Sequence, residues 1–430
     1  MTDLVALRRQ LHRRPELGFM EIETAVAVIV EIGAVADEVT FGASVCDLTG
    51  VAGLPAPADL ASARARAFAR GVAPGLVEEL GHGATGIVAT VKGDRPGQVT
   101  ALRFDMDALP VHEADGGEHR PTRVGFASEI PGLMHACGHD GHVAVGVELV
   151  RRLAADRDFA GEVRAVFQPA EEGVRGAHAM VAAGAVDGVD VMLGMHLGIG
   201  LPVGTVAAAA AGVLATEKWR IVLTGRAAHA ALAPAEGRNA LLGAAAAVTA
   251  LHALPPEAGV VTRVNVGRLV AGTAANVVPE SAILECEVRA DDDGALRRLA
   301  DSARHIVAGA AAMYELEVAF EVTGTSAVAV CDTDVTEAMA RAAARVPGIE
   351  HALAAATMTA SDDVTLMMSH VQGNGGRATL TVVGASSPAP HHHPRFDVDE
   401  RALPLAVAWL EAAIRTGFRV PPVVTSQVRS

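Results

Sequence analysis

Four runs decide how this chain is read: VTALRFDMD (99–107), MHACGHDGHVAVGVELVRRLAA (134–155), EVRAVFQPAEE (162–172) and VDVMLGMH (189–196). Short β-rich runs alternate here with the helical run HVAVGVELVRRLAA (142–155). GIVATV (86–91) precedes the series and ATLTVVG (378–384) rejoins it much later. That alternation predicts a doubly wound α/β sheet. In such sheets ligands collect at the carboxyl ends of the strands, so chemistry is expected in the residues that follow each strand.

Those positions are polar every time. Asp105 and Asp107 follow VTALRF, Glu171 and Glu172 follow VRAVFQPA, His196 follows VMLGM, and three histidines, 391–393, follow TLTVVG. MHACGHDGHVA adds Cys137 and His139 in a glycine-punctuated turn that opens a helix. Carboxylate, imidazole and thiolate together form the ligand set of zinc, manganese or cobalt sites, and donors from separate segments permit two ions. A structural zinc site competes, but such sites favour paired cysteines and lack spare carboxylates. Of the adjacent pair Glu171 and Glu172, one can bind metal while the other moves protons; a solvated acidic turn is the bland alternative. His135 and His142 serve as readily in turn formation or ligand support as in ligation.

Outward from this core, Leu4, Leu7 and Leu11 predict an opening helix broken at Pro15, and a second helix runs from Glu21. Residues 42–82 mix Gly, Pro and Ala with ADLASARARAFARGVA and read either as a cap near the site or as a solvated surface excursion. Between Gly212 and Ser326 four strand-like segments are separated by two alanine-rich helices, which predicts an inserted α+β domain, 212–326, within a discontinuous catalytic domain, 1–211 and 327–430. A length of 430 residues also favours two domains.

Composition excludes other classes. A net charge of −15 without a basic run, and 3% aromatic residues, argue against nucleic-acid binding. The start MTDLVALRRQLHRRPELG lacks a signal-peptide core and no charge-free stretch reaches membrane-spanning length, so a cytoplasmic protein without membrane association is expected. Four cysteines make no disulfide framework; Cys137 alone sits among histidines.

RRQLHRRPELGFMEIET (8–24), RFDMDALP (103–110), MHACGHDGHVA (134–144), FQPAEEG (167–173), GRAAHAALAPAEGRNAL (225–241) and HHHPRFDVDE (391–400) resemble the aminoacylase and carboxypeptidase superfamily of di-metal hydrolases. The branch most similar contains bacterial amidohydrolases and plant auxin-conjugate hydrolases. Within it, HRPTRVGFASEIPGLMHACGHDGH (119–142) and FQPAEEGVRGAHAMVAAGAVDGVD (167–190) are most similar to the p-aminobenzoyl-glutamate hydrolases. The resemblance implies hydrolysis of the amide bond of an N-acyl or N-aroyl amino acid, p-aminobenzoyl-glutamate first. It implies two divalent ions, Mn2+ ahead of Zn2+ or Co2+, with Cys137 bridging and His139, Glu172, His196 and His392 completing the set. A one-residue shift at His392 stays open. Glu171 becomes the general base, Asp107 an orienting group, and Asn276 and Arg289 the binders of the substrate α-carboxylate. His229 is implied to reach in from a partner subunit's inserted dimerisation (lid) domain, so the expected assembly is a homodimer or a heterodimer with a related subunit. SDDVTLMM (361–368) departs from the family pattern by carrying Asp362 where a glutamate is usual. A deaminase or amidase for another small aromatic substrate, and a non-catalytic metal-binding partner subunit, remain the alternatives.

Overall fold

The computed structural model describes residues 3–418. It divides into two compact units, one formed by the chain up to Ala211 and again from Ala329, the other by Gly212–Val328. In chain order the first unit holds α1 (Leu4–Arg13), α2 (Ile22–Ile32), β1 (Glu38–Phe41), α3 (Pro57–Ala69), α4 (Pro74–Leu80), β2 (Ile87–Lys92), β3 (Arg95–Asp105), α5 (Arg120–Val124), α6 (His139–Ala155), β4 (Ala160–Gln168), α7 (Gly176–Ala182), β5 (Val191–Leu197), β6 (Thr205–Ala207) and β7 (Ala210–Ala211). The second unit holds β8 (Ala215–Thr224), α8 (Ala240–His252), β9 (Thr262–Ala271), β10 (Ser281–Ala290), α9 (Asp293–Met313) and β11 (Glu317–Ser326). The first unit resumes with α10 (Thr333–Ala343), β12 (His351–Leu353), β13 (Ala356–Thr357), α11 (Val364–Gly373), β14 (Arg377–Val383) and α12 (Ala402–Thr416).

The large sheet runs β1-β2-β4-β3-β5-β14-β6-β12. Its middle, β4-β3-β5-β14, is parallel, as the alternation of strands and helices requires. The flanks are mixed: β2 is antiparallel to β4, and β6 to β14. The turn between β2 and β3 is too short for a parallel crossover, and β4 lies between them. The short strands β1, β6 and β12 were not apparent in the sequence, because three or four residues carry too little periodicity.

Alternate residues of the central strands serve opposite faces. Leu102 and Phe104 of β3, Phe167 of β4, and Leu193 and Leu197 of β5 join one core with α1, α2, α6 and α12. Gly146 lets α6 approach closely, since a Cβ there would lie 2.6 Å from the Phe104 ring. On the other face α7 and α11 pack against β4, β5 and β14. α6 starts at His139, three residues before the helical run read from sequence, because Gly138 takes the left-handed conformation (φ 91°) ahead of it. The segment 42–82 is no free excursion: Ala63, Ala67, Val77 and Leu80 of α3 and α4 are buried in the main core.

In the second unit β11-β8-β10-β9 form an antiparallel sheet. Ala282, Leu284, Cys286, Val288 and Ala290 of β10 point into a separate core under α8 and α9. The side chains of Asn239 and Asp292 cap those helices. Among the described residues no helix is long and apolar enough to cross a membrane.

Candidate metal centre

Asp107, two residues beyond β3, fastens three segments together. Its two carboxylate oxygens accept the backbone N–H groups of Glu171 (3.0 Å) and Glu172 (3.1 Å), and its carbonyl accepts His139 Nδ1 at 2.8 Å. The turn after β4 and the first turn of α6 are thereby held at one strand end.

The hydrogen bonds of the histidines select their bare nitrogens. His139 donates Nδ1 to the Asp107 carbonyl, which leaves Nε2 as the nitrogen that faces the other donors. That Nε2 is buried without a hydrogen-bond partner and lies 3.6 Å from Asp105, 3.9 Å from Glu171 and 4.0 Å from Glu172. His196, at the end of β5, donates Nδ1 to the Leu197 carbonyl (2.9 Å) and turns Nε2 to within 3.7 Å of Cys137 Sγ. Backbone-anchored imidazoles that aim the opposite nitrogen at other donor groups are oriented as metal-ligating histidines are.

Donor atoms of Cys137, His139 and His196 lie within 4.8 Å of one another, and so do those of Cys137, Glu172 and His392. Cys137 belongs to both groups, the position a bridging ligand needs. His139, Glu171 and Glu172 form a third group, and Glu171, Asp362 and Asp363 a fourth. The two adjacent glutamates thus face different neighbours: Glu172 meets Cys137 and His392, whose Nε2 is 3.3 Å away, while Glu171 meets Asp362 and Asp363. A thiol, bare buried imidazole nitrogens and carboxylates this close suit divalent cations.

The triple histidine divides by geometry. His391 donates Nε2 to the Leu197 carbonyl (3.1 Å) and rests its ring on Phe396, with centroids 4.7 Å apart. His392, turned by a left-handed backbone (φ 64°), joins Cys137 and Glu172 instead.

Beneath the donors lies a buried charge network that sequence reasoning missed. Arg103 pairs with Asp105 and reaches Asp362 and Asp363, each at 3.0 Å. Asp105 also binds His142 Nδ1, and His142 Nε2 accepts the N–H of Leu197 (3.0 Å), so His142 braces the strand end that carries His196. The shorter Asp362 still reaches Arg103, leaving its Oδ2 buried without a hydrogen-bond partner. Burial, with the charges of Asp362 and Glu172, holds the Glu171 carboxyl well above the usual range; burial and Glu172 raise the Cys137 thiol. Cations among these groups would relieve the crowding of negative charge.

Glu21 is a further supporting residue. Its carboxylate accepts the N–H of Ala170 (2.9 Å) and the Thr85 hydroxyl (2.7 Å). Ala170 sits in the left-handed region (φ 52°) directly before Glu171. The signal was present in PELGFMEIE, but nothing local distinguishes Glu21 from an ordinary helix-entry carboxylate.

On the second unit His229 and Asn276 are neighbours. His229 bridges to Val277, its Nδ1 accepts the N–H groups of Ala231 and Leu232 (both 3.2 Å), and the Asn276 carbonyl accepts Ala230 N–H (3.0 Å). Arg289 is elsewhere, paired with Glu287 at 2.9 and 3.0 Å. Asn276 precedes Ser281, where β10 begins, whereas Arg289 lies eight residues along that strand, roughly 26 Å away at strand rise. The structure therefore does not bring Asn276 and Arg289 onto one carboxylate within a single chain.

Residues 101–416 match the model of peptidase family M20/M25/M40. The chain is 43% identical to an indole-3-acetyl-aspartic acid hydrolase of Enterobacter agglomerans, covering 95% of this chain and 94% of that protein. It is 40% identical to one subunit of the p-aminobenzoyl-glutamate hydrolase of Escherichia coli, covering 96% of this chain and 95% of that one. Among solved structures, an aminobenzoyl-glutamate utilization protein of Klebsiella pneumoniae superposes with a TM-score of 0.82 at 35% identity, over 96% of this chain and 95% of that one. A Bacillus subtilis protein described as a dinuclear metal-binding peptidase superposes at 0.66 with 26% identity, over 96% and 97%. The chain belongs to peptidase family M20/M25/M40, and is a metallo-hydrolase of amide bonds.

Proposed function

We propose that the chain cleaves the amide bond of an N-aroyl or N-acyl amino acid, p-aminobenzoyl-glutamate first, giving p-aminobenzoate and glutamate. The observation that carries this reading is the double clamp of Asp107 on the Glu171 and Glu172 amides, which holds both carboxylates near His139 while Glu172 also meets Cys137 and His392 and Glu171 also meets Asp362 and Asp363. Cys137 would bridge two divalent ions, with His139, Glu172, His196 and His392 around them and Mn2+ favoured over Zn2+ or Co2+. Such ions acidify water and polarise a carbonyl when bound. Glu171 takes a proton from the attacking water and returns it to the amide nitrogen as the C–N bond breaks, so one residue serves both transfers.

His229 and Asn276, adjacent and exposed, would complete the site from a second copy or a related subunit. Leu232, 82% exposed and three residues from His229, supports a protein surface covering this region. Arg289 would hold the α-carboxylate through its planar guanidinium. The similarity to an indole-3-acetyl-aspartic acid hydrolase favours an indole-acetyl amino acid as second substrate.

The test is Glu171→Gln in manganese-loaded protein, followed by release of p-aminobenzoate. Turnover should fall by about 10²–10⁴-fold while bound metal is unchanged. Wild-type turnover in that variant would remove Glu171 from the mechanism.

A further inference from the structure

A cavity of about 510 Å³ opens beside the metal centre, entirely within the first unit. Three segments line it: Ile199 and Gly200 just after β5, Thr357 to Ala360, and Ser387 to His391. His391 ties this wall to the centre, because its ring lies 5.3 Å from that of His196 and its Nε2 binds the Leu197 carbonyl. The next residue along is His392. The cavity and the donor cluster therefore share a wall, and a substrate whose amide sits at the donors has somewhere to place one of its ends.

The lining chemistry limits what that end can be. Prolines, alanine, isoleucine and methionine are joined by the hydroxyls of Thr357, Thr359 and Ser387, and no Asp, Glu, Lys or Arg among the described residues lines the space. A charged group there would lose water without gaining an ionic partner. The walls are also held in a fixed shape. Ile199, Ser386 and His392 are non-glycine residues in the left-handed region (φ 47°, 44° and 64°), and all three flank the cavity. Backbone of this kind persists only where surrounding structure enforces it, and it gathers at ligand sites.

We propose that this cavity seats the acyl side of the substrate and selects an uncharged group over an anionic one. The inference rests on the hydrolase reading above and adds to it the seat of the acyl group and the charge that seat admits. It makes Ala360 and Ala389 specificity-determining positions, since both line the cavity and neither belongs to the groups of candidate metal donors.

The experiment compares three substrates that share the glutamate leaving group: p-aminobenzoyl-glutamate, N-acetyl-glutamate and N-succinyl-glutamate. Each is assayed with manganese-loaded wild type, Ala360→Trp and Ala389→Trp. Filling the cavity should raise KM for p-aminobenzoyl-glutamate by roughly tenfold or more, with kcat/KM for N-acetyl-glutamate held within about twofold. Wild type should cleave the succinyl compound at least about tenfold less efficiently than the aroyl one. The two variants lie in different lining segments, so the test survives if one fails to fold. A wild type active on both aroyl and acetyl substrates, with a ratio unmoved by either tryptophan, overturns the cavity assignment alone. Equal efficiency on succinyl and aroyl substrates overturns the neutral preference. A metal-loaded wild type that releases glutamate from none of them overturns the hydrolase reading and the acyl seat together.

Discussion

The donor cluster at the strand ends and the His229–Asn276 corner of the inserted unit use polar residues in opposite ways. At the first, Asp107, His139, His196, Asp105 and Glu21 are each buried and each held by a second group, so that positions are fixed before any ligand arrives. At the second, His229 and Asn276 are exposed, and their fixed bonds are to the local backbone. The contrast teaches that the donor cluster is buried and braced within the first unit, whereas the histidine corner is an exposed surface of the second.

The strongest way to break that contrast is complementation. His229→Ala should lower kcat by about 10²–10³-fold, the scale for losing one oxyanion donor. Mixed with Glu171→Gln, it should recover about a quarter of wild-type turnover if subunits exchange as symmetric dimers, because each mixed pair holds one intact site. A mixture as inactive as its parts, with mixed dimers verified by mass, would place His229 outside a shared site.

A smaller effect sharpens the other side. Glu21 touches no donor, yet it pins the Ala170 amide in a left-handed turn directly before Glu171. Glu21→Ala should cost about 10–10²-fold in kcat, with KM and metal content near wild type, since a misplaced general base loses rate more than binding. Glu21→Gln keeps an acceptor for Ala170 and lets the Thr85 hydroxyl reverse its role, so it should restore most of the rate. Equal losses in both variants would mean that Glu21 acts by something other than the clamp on Ala170.

Much of the site was legible because of one geometric rule. In a parallel sheet the strand ends converge, and Asp107, Glu171, Glu172 and His196 could be found by reading just past apolar runs. The partners of those residues could not. Asp105 owes its place to Arg103 and His142, and Arg103 owes its own to Asp362 and Asp363, about 260 positions away in the chain; no local pattern encodes such pairings. The choice between His391 and His392 likewise depends on a backbone turn and on one carbonyl, that of Leu197. The elements of the inserted unit were plain from their periodicity, but the distance between Asn276 and Arg289 emerged only once β10 was seen to separate them.

The two units can also be compared in stability, and the smallest predicted effect lies there. His12, fully buried on α1, donates Nδ1 to Asp140 (2.8 Å) and Nε2 to Glu113 (2.9 Å), so both ring nitrogens carry protons. Arg8 lies 3.5 Å from Nδ1, and the rings of Phe126 and His135 complete its surroundings. Burial opposes the charge, but the bonds to Asp140 and Glu113 outweigh it and lift the pKa from 6.5 to about 9. The folded state therefore binds more protons than the unfolded one between those values, and the contribution of His12, on the order of 3 kcal/mol, is whole below pH 6.5 and lost as pH rises through 9. Glu16 and Glu21, raised by burial to about 7 and 8, add a slope of the same sign that begins at lower pH. The diagnostic quantity is therefore the difference between wild type and His12→Gln. The chain has two tryptophans, one in each core: Trp409 in the first unit and Trp219 in the second. In a Trp219→Phe background, urea unfolding followed through Trp409 should weaken from pH 6.5 to 9.5, and His12→Gln should flatten that dependence. In a Trp409→Phe background, Trp219 should report an unfolding transition that His12→Gln leaves unchanged. If His12→Gln shifts both reporters equally, the two cores unfold as one and the contrast in stability between them disappears.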